Sequence, residues 1–435
     1  MEQNKDGMNY APKGKPSPVV KPNTFYIAAI ALDHGHIYGM CNGLVEAGAT
    51  IKWVYDKDPK KMEQFVEAFP KAKMATCEEE INEERIEWAK DRFDGKVHIY
   101  KDYRQLFNEK LVDAILIATH HRLHPQIAVD AFNSGISVLT EKPAGIDIVS
   151  VRNMNRVAME SGKTFGIMYN QRTNPLYQKL FEIVKNGKLG EIKRCVWIVN
   201  NWYRTQAYYD SGDWRATWNG EGGGILINQC PHNLDIWQWI MGMPVRIRAF
   251  CREGHFHQIS VEDDVTIYAE YDSGATAVFI SSTGEYPGTN RLEISGTKGK
   301  IVIENGSMKQ YLLEKDERNI CFCSTEGMPR EEIETTEIRQ DHEETGHLGI
   351  LQNFTNAVLY GEKLIAPGVD GINGLMLSNA AYLSTWKNDW VNLPIDGREF
   401  QEYLIKKQND EKIIQRKVVR EKMSEEYSQR WKVRW

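Results

Sequence analysis

The sequence predicts an α/β chain of two domains. A doubly wound parallel sheet comes first, and an α+β domain on a large, open, mostly antiparallel sheet follows. Three observations predict this. From residue 24 to 169, short apolar runs alternate with helical patterns. From 170 onward, longer strands of alternating character appear, with the hairpin signal Asp272-Ser273-Gly274 between two of them. The chain has 435 residues, enough for two sizeable cores. The expected layout is a flexible arm over 1–23, a nucleotide domain over 24–169, a substrate domain over 170–398 and a helical tail over 399–435.

In chain order, the apolar run 25–32 (FYIAAIAL) reads as a buried strand, followed by the glycine-bearing turn DHGHIYG. Helices are expected at 40–47, 59–70, 78–92, 125–134 and 147–161. Strands are expected at 51–55, 97–100, 114–118, 137–140 and 164–169. Strand and helix alternate, so right-handed crossovers and a parallel sheet follow. In the second half, strands are expected at 193–199, 245–252, 265–271, 275–281, 291–295 and 300–304, and amphipathic helices at 347–360 and 371–386. The arm is rich in Lys, Pro and Asn and has no period.

Hydrophobic content of 41% and charged content of 26% suit a soluble globular chain. A net charge of −6 gives no reason to expect nucleic acid or a membrane surface. The cysteines number seven and are scattered, with no CxxC pair, which argues for a reducing, cytoplasmic setting and against a structural zinc. Neither a signal peptide nor a membrane span is expected. His342 and His347 have a spacing that is not usual for ligands, so no metal is expected.

The chemistry gathers in three places. The first βα turn, Asp33, His34, Gly35, His36 and Ile37, is where a doubly wound domain meets a dinucleotide pyrophosphate. Its glycine fingerprint is degraded, with Ala31, Asp33 and His36 where three glycines are usual. Asp56 closes the second strand, where a carboxylate holds the ribose hydroxyls of NAD and repels the extra phosphate of NADP. A surface Asp at a strand end is the other reading. Lys142 ends a strand ahead of Pro143, at the edge where open α/β sheets bind ligands. A solvated lysine is the alternative there. Finally, four glycines in 220–224 precede Asn228, His232 and Asp235. Pro231 opens a helix and Gly242 ends it. His232 suits either a site or a packed core.

Together these residues resemble the Gfo/Idh/MocA family of NAD(P)-dependent oxidoreductases, over roughly residues 25–395. Glu141-Lys142-Pro143 matches the family's EKP motif, with Thr119 and His124 at its upstream positions and His120 and His121 between them. The run GGGILINQCPHNLD matches its glycine, DxxxH and HxxD pattern, while GKLGE (187–191) and GTKG (296–299) match weaker landmarks. Asn228 stands where the family has Asp. It can orient a hydroxyl but carries no charge. The resemblance implies a Rossmann domain, bound NAD (NADP less favoured) and a homo-oligomer formed through the C-terminal sheet.

The resemblance also implies hydride transfer from a carbinol. His232 would take the hydroxyl proton, Lys142 would hydrogen-bond the same oxygen, and Asn228 would position it. The aromatic and basic run Trp202, Tyr203, Arg204, Tyr208 and Trp214, with Tyr169 and Arg172, suits a sugar ring. This wording is similar to members acting on sugars and glycosides, including a type that oxidises the sugar 3-hydroxyl to a 3-oxo-glycoside. Two alternatives stay open: a transient redox cycle that cleaves a glycoside, and a non-catalytic sensor of NAD or sugar.

Overall fold

The structure is a computed structural model and describes residues 18–21, 24–33, 35–70, 73–76, 98–99, 103–108, 112–210, 212, 214–339 and 345–411. The expected helix over 78–92, His34, His342, most of the arm and the tail beyond 411 lie outside the described residues. The chain divides into two compact units. Among the described residues, one takes 18–170 and 345–372, and the other takes 171–339 and 373–411.

The nucleotide unit is built on parallel strands β1 (Tyr26–Ile30), β2 (Thr50–Tyr55), β3 (Lys73–Thr76), β4 (His98–Ile99), β5 (Ala114–Ile117), β6 (Ser137–Thr140) and β7 (Phe165–Ile167). Their order is β4-β3-β2-β1-β5-β6-β7. The chain reverses direction across the sheet between β1 and β5, which places a ligand-binding crevice at their carboxyl ends. β1 and β5 are near-continuous apolar runs and all four residues of β6 are buried, because both faces are covered. β3 was not among the expected strands. Its four residues, KMAT, alternate too briefly to signal one.

Residues 345–372 were expected in the second domain, yet they pack here. The Gly346–Tyr360 helix lies on the His36–Glu46 helix, where a Cβ on Gly43 would sit 2.2 Å from Leu351 Cδ1. A Cβ on Gly166 would meet the Phe354 ring at 3.0 Å. Near the expected arm, Val19 N–H donates to Ala47 O at 3.0 Å, so the described end of the arm is pinned.

The second unit holds strands β8 (Ile192–Val199), β9 (Arg246–Glu253), β10 (Glu262–Glu270), β11 (Thr276–Ser282), β12 (Asn290–Gly296), β13 (Gly299–Glu304), β14 (Ser307–Leu313), β15 (Ile333–Arg339) and β16 (Val391–Asn392). Their order is β15-β14-β13-β12-β8-β11-β10-β9-β16, and only the β8–β11 pair among them is parallel. Alternation along β8 and β10 turns one face inward. Trp197 and Phe279 from that face meet Tyr177 and Trp237 from two helices, and Trp237 stacks on Phe279 at 5.6 Å. The Gly397–Asp410 helix buries Phe400 and Leu404, with Phe400 stacked on Trp386, so the first part of the expected tail is a packed element. Among the described residues, no helix is long and apolar enough to cross a membrane.

Candidate active site

The cofactor half is assembled at the carboxyl ends of β1, β2, β5 and β6. Ala31 follows β1 with φ of 61°, the left-handed conformation that the first glycine of the usual fingerprint would take. Its N–H donates to Tyr55 O at 2.7 Å, which holds the turn. An alanine there carries strain of about 1 kcal/mol. Ala31→Gly is therefore expected to raise the melting temperature by about 2–4 °C, read by thermal unfolding. A drop would mean that the turn is not held in this form.

The turn leads into the His36–Glu46 helix, whose N-cap Gly35 makes no side-chain cap. A Cβ on Gly35 would meet nothing within 4 Å, so open space lies over this helix end. The N–H groups of a helix start and the helix dipole favour an anion there. Asp33 would oppose one, but it is already neutralised. Lys61 Nζ donates to its Oδ1 at 2.8 Å and Thr119 Oγ1 to its Oδ2 at 2.7 Å. Burial resists charging both groups of the pair, yet their hydrogen bond holds the Asp33 carboxyl below its ordinary value and Lys61 above its own. Asp56, 4% exposed, accepts Leu32 N–H at 2.6 Å and Asp58 N–H at 2.8 Å, which fixes this carboxylate at the end of β2. A helix start without a side-chain cap, a neutralised turn and a fixed carboxylate fit a dinucleotide.

At the end of β6, Glu141 N–H donates to Ile117 O, and Glu141 itself receives Lys142 N–H at 2.9 Å. His36 Nδ1 lies 3.1 Å from Glu141 Oε1. His347, on the returning helix, is buried, and burial drives its ring down to about 3, against the pull of Glu141. It is neutral at any working pH. His120 Nε2 is 3.8 Å from Asp33 Oδ2, and His121 is buried in the short turn before the His124–Asn133 helix. Ile37 is buried in the first turn of the His36–Glu46 helix.

His124 departs from the expectation of a cofactor contact. It is fully buried, with Nδ1 2.8 Å from Pro143 O and Nε2 3.1 Å from Thr119 O. Burial lowers its pKa despite these carbonyls, so the ring is neutral and donates one N–H. It braces the Thr119 turn against the Lys142-Pro143 turn.

In the second unit, the Pro231–Met241 helix carries His232 in its first turn, 1% exposed. Ile225–Asn228 forms the preceding short helix, and Asn228 Nδ2 donates to Glu221 Oε1. The glycine run makes way for the protein itself. A Cβ on Gly224 would sit 2.0 Å from Glu262 O, and one on Gly223 would sit 2.3 Å from the Tyr382 hydroxyl. Glu262 accepts Gly224 N–H at 2.8 Å, Leu226 N–H at 2.9 Å and the Tyr382 hydroxyl at 2.6 Å. Burial pushes its carboxyl up to about 7, with these donors pulling the other way. Neither Glu262 nor Tyr382 stands out in the sequence, because each lies far from the motif it holds.

The expected sugar wall splits. Trp202, Tyr169 and Arg172, expected as ligand contacts, are buried. Arg172 donates from Nη2 and Nε to the two oxygens of Asp235 at 2.7 and 2.8 Å. Asp235 is thus spoken for by Arg172 and Gln238. Tyr203, at 44% exposure, is open to solvent, and Tyr208 and Trp214 are half-buried. Arg204 lies over the Tyr208 ring at 5.0 Å, and Arg215 over Tyr208 and Trp214 at 4.9 and 4.7 Å.

This run is anchored by His257. Its Nδ1 meets Asp263 Oδ2 at 2.8 Å and its Nε2 meets Arg204 O at 2.9 Å. Both acceptors are filled only by the charged ring. Burial opposes that charge, but Asp263 and the carbonyl outweigh it and raise the pKa above 6.5. A raised folded value gives stability that is full below pH 6.5 and fades as pH rises through the folded value. The melting-temperature gap between wild type and His257→Gln is therefore expected to narrow from pH 6 to pH 9. A constant gap would contradict this.

Among the described residues, no group of three or more His, Cys, Asp or Glu side chains is placed to hold a metal. Residues 42–169 match a family model described as oxidoreductase family, NAD-binding Rossmann fold, and residues 177–302 match the GFO/IDH/MocA C-terminal domain. Myo-inositol 2-dehydrogenase of Thermotoga maritima is 23% identical over 325 residues, 72% of this chain and 89% of that protein. Trans-1,2-dihydrobenzene-1,2-diol dehydrogenase of Mus musculus is 29% identical over 227 residues, 49% of this chain and 64% of that protein, so less than two thirds of the mouse enzyme is spanned. The WlbA dehydrogenase of Bordetella pertussis, solved with NADH and UDP-GlcNAcA, shares the fold at a TM-score of 0.65 and 18% identity, over 86% of this chain and 99% of that one. By both of its halves, the chain belongs to the Gfo/Idh/MocA family of oxidoreductases and carries that family's NAD-binding Rossmann domain.

Proposed function

We propose that this protein is an NAD-dependent dehydrogenase of a sugar or glycoside, oxidising a secondary hydroxyl, with the sugar 3-hydroxyl as the favoured position and a 3-oxo-glycoside as product. The observation that carries this reading is the start of the His36–Glu46 helix, without a side-chain cap and beside an Asp33 already neutralised by Lys61. Bound NAD supplies the hydride acceptor. The turn from Ala31 to Ile37 holds its phosphates, and Asp56 holds its ribose and disfavours the NADP phosphate. Lys61, paired with Asp33 at 2.8 Å and 3.9 Å from Asp56, tempers that preference.

His232 accepts the proton from the substrate hydroxyl, and Lys142 donates a hydrogen bond to the same oxygen and steadies its negative charge. Asn228 positions that hydroxyl. The partly exposed faces of Tyr203, Tyr208 and Trp214, with Arg204 and Arg215, suit C–H faces and hydroxyls of a ring. Relatives named for inositol and sugar substrates support the class. A homo-oligomer formed through the nine-stranded sheet and a cytoplasmic setting belong to the same reading.

The test is a panel of free sugars, cyclitols, O-glycosides and C-glycosides incubated with NAD or NADP. The expected result is reduction of NAD, in step with loss of two hydrogen atoms from one class of glycoside. Tight NAD binding with no oxidation across the panel would overturn the reading. Release of aglycone without net NADH would replace it with a closed redox cycle.

A further inference from the structure

Position 228, four residues before His232, carries an amide and no charge. A carboxylate nevertheless reaches the same place from elsewhere in the chain. Glu221, 3% exposed, lies seven residues upstream, and its Oε1 receives the Asn228 Nδ2. Its Oε2 accepts the Ala216 N–H at 2.6 Å, from a residue held at φ of 49°. A non-glycine residue in that region is strained and needs its surroundings to hold it. Arg215 Nη1 stands 4.0 Å from Glu221 Oε1 and donates to the Tyr208 hydroxyl at 3.2 Å. Gln229 Nε2 reaches that hydroxyl at 3.4 Å. The 214–221 turn thus joins the aromatic and basic run to the start of the His232 helix, with a buried anion at the junction.

Resting on the dehydrogenase reading above, we propose that Glu221 carries the negative charge that position 228 lacks, so that Glu221 and Asn228 act as one unit that steers the substrate hydroxyl. A carboxylate only accepts, so it fixes which end of the Asn228 amide faces it. The amide nitrogen turns to Glu221 and the carbonyl Oδ1 turns away. Donation to an anion polarises the amide and strengthens that carbonyl as an acceptor. Asn228 Oδ1 then takes the hydroxyl O–H in the resting complex and releases it as the proton passes to His232. Glu221 is a positioning residue: it touches Asn228, not the reacting atoms. Arg215 offsets its charge and links the ring-binding run to the same anion.

The test is a charge transplant between the two positions. Glu221→Gln is nearly isosteric but no longer dictates which end of the Asn228 amide faces it. It is expected to lower kcat/KM by roughly 10- to 100-fold, the scale of a hydrogen bond to a charged group, with NAD affinity unchanged. Asn228→Asp alone sets two carboxylates against each other and is expected to lower both activity and melting temperature. The double variant, Glu221→Gln with Asn228→Asp, keeps one charge in the pair. It is expected to recover most of both losses.

A purely structural Glu221 would give losses that add, so a double variant no better than either single variant overturns the proposal. If wild type oxidises nothing in the panel, the dehydrogenase reading falls. The melting temperatures of the same four proteins still decide the charge placement, since they need no substrate.

Discussion

His232→Ala is expected to lower kcat by at least about 100-fold, the lower end of what a positioned general base contributes. His232 sits in the first turn of the Pro231–Met241 helix and is buried, so no solvent base replaces it readily. Lys142, at the carboxyl end of β6, has the other role. In the proposed mechanism its ammonium would donate to the substrate oxygen and stabilise charge, while His232 would take the hydroxyl proton. Lys142→Met is therefore expected to slow turnover with the fold intact, and pairing it with His232→Ala to lose less than the product of the two, because the proposed mechanism gives both the same substrate oxygen. The measurement is kcat on the substrate found in the panel, with NAD affinity as the control. Wild-type turnover in His232→Ala would remove it from the mechanism.

The second large effect is on stability. Asp235→Asn is expected to destabilise the protein by about 3–5 kcal/mol, because it strands a buried guanidinium beside a neutral group. Arg172 and Asp235 are both almost fully buried, and their fork is bidentate, with Gln238 adding a third donor at 3.0 Å. Arg172 also lies over the Trp239 ring at 5.5 Å. The pair ties the 170–173 turn to the helix that carries His232, so it fixes where that helix begins. Replacing both partners with apolar residues, Arg172→Met with Asp235→Leu, is expected to be milder than Asp235→Asn alone, since no charge is left uncompensated. Urea unfolding reads both. A loss under about 1 kcal/mol for Asp235→Asn, the worth of an exposed pair, would show that the pair is solvated.

The fold class was legible because both sheets leave a period in the sequence: continuous apolar runs for β1 and β5, and alternation for β8 and β10. β3, β14, β15 and β16 were not legible; β14 buries only Met308. β3 and β16 are very short, and β15 is exposed along nearly its whole length and so has no buried face to mark it. The site motifs were legible as local words, such as EKP and GGG followed by His232. Their supports were not, because each lies far away in the chain. Lys61 reaches Asp33 across 28 residues, Glu262 reaches Gly224 across 38, and Tyr382 reaches Glu262 across 120. Aromatic and basic residue types in 202–214 pointed to a ligand wall. Burial then divided them, since residue type alone does not separate a core Trp202 from an exposed Tyr203.

The helix over Gly346–Tyr360 has a practical consequence for anyone cutting this gene. Its apolar face covers Gly43 on the first helix and Phe354 covers Gly166 in β7, yet it is encoded about 180 codons after that sheet ends. A fragment stopping near residue 170 would leave an apolar stripe bare and His347 missing from the Glu141 corner. Such a fragment would be expected to aggregate on expression, and a graft of the nucleotide unit would need the 345–372 segment spliced in. The two halves of the protein are separable in space but not by a single cut, so shuffling them between relatives needs three junctions where the linear order suggests one.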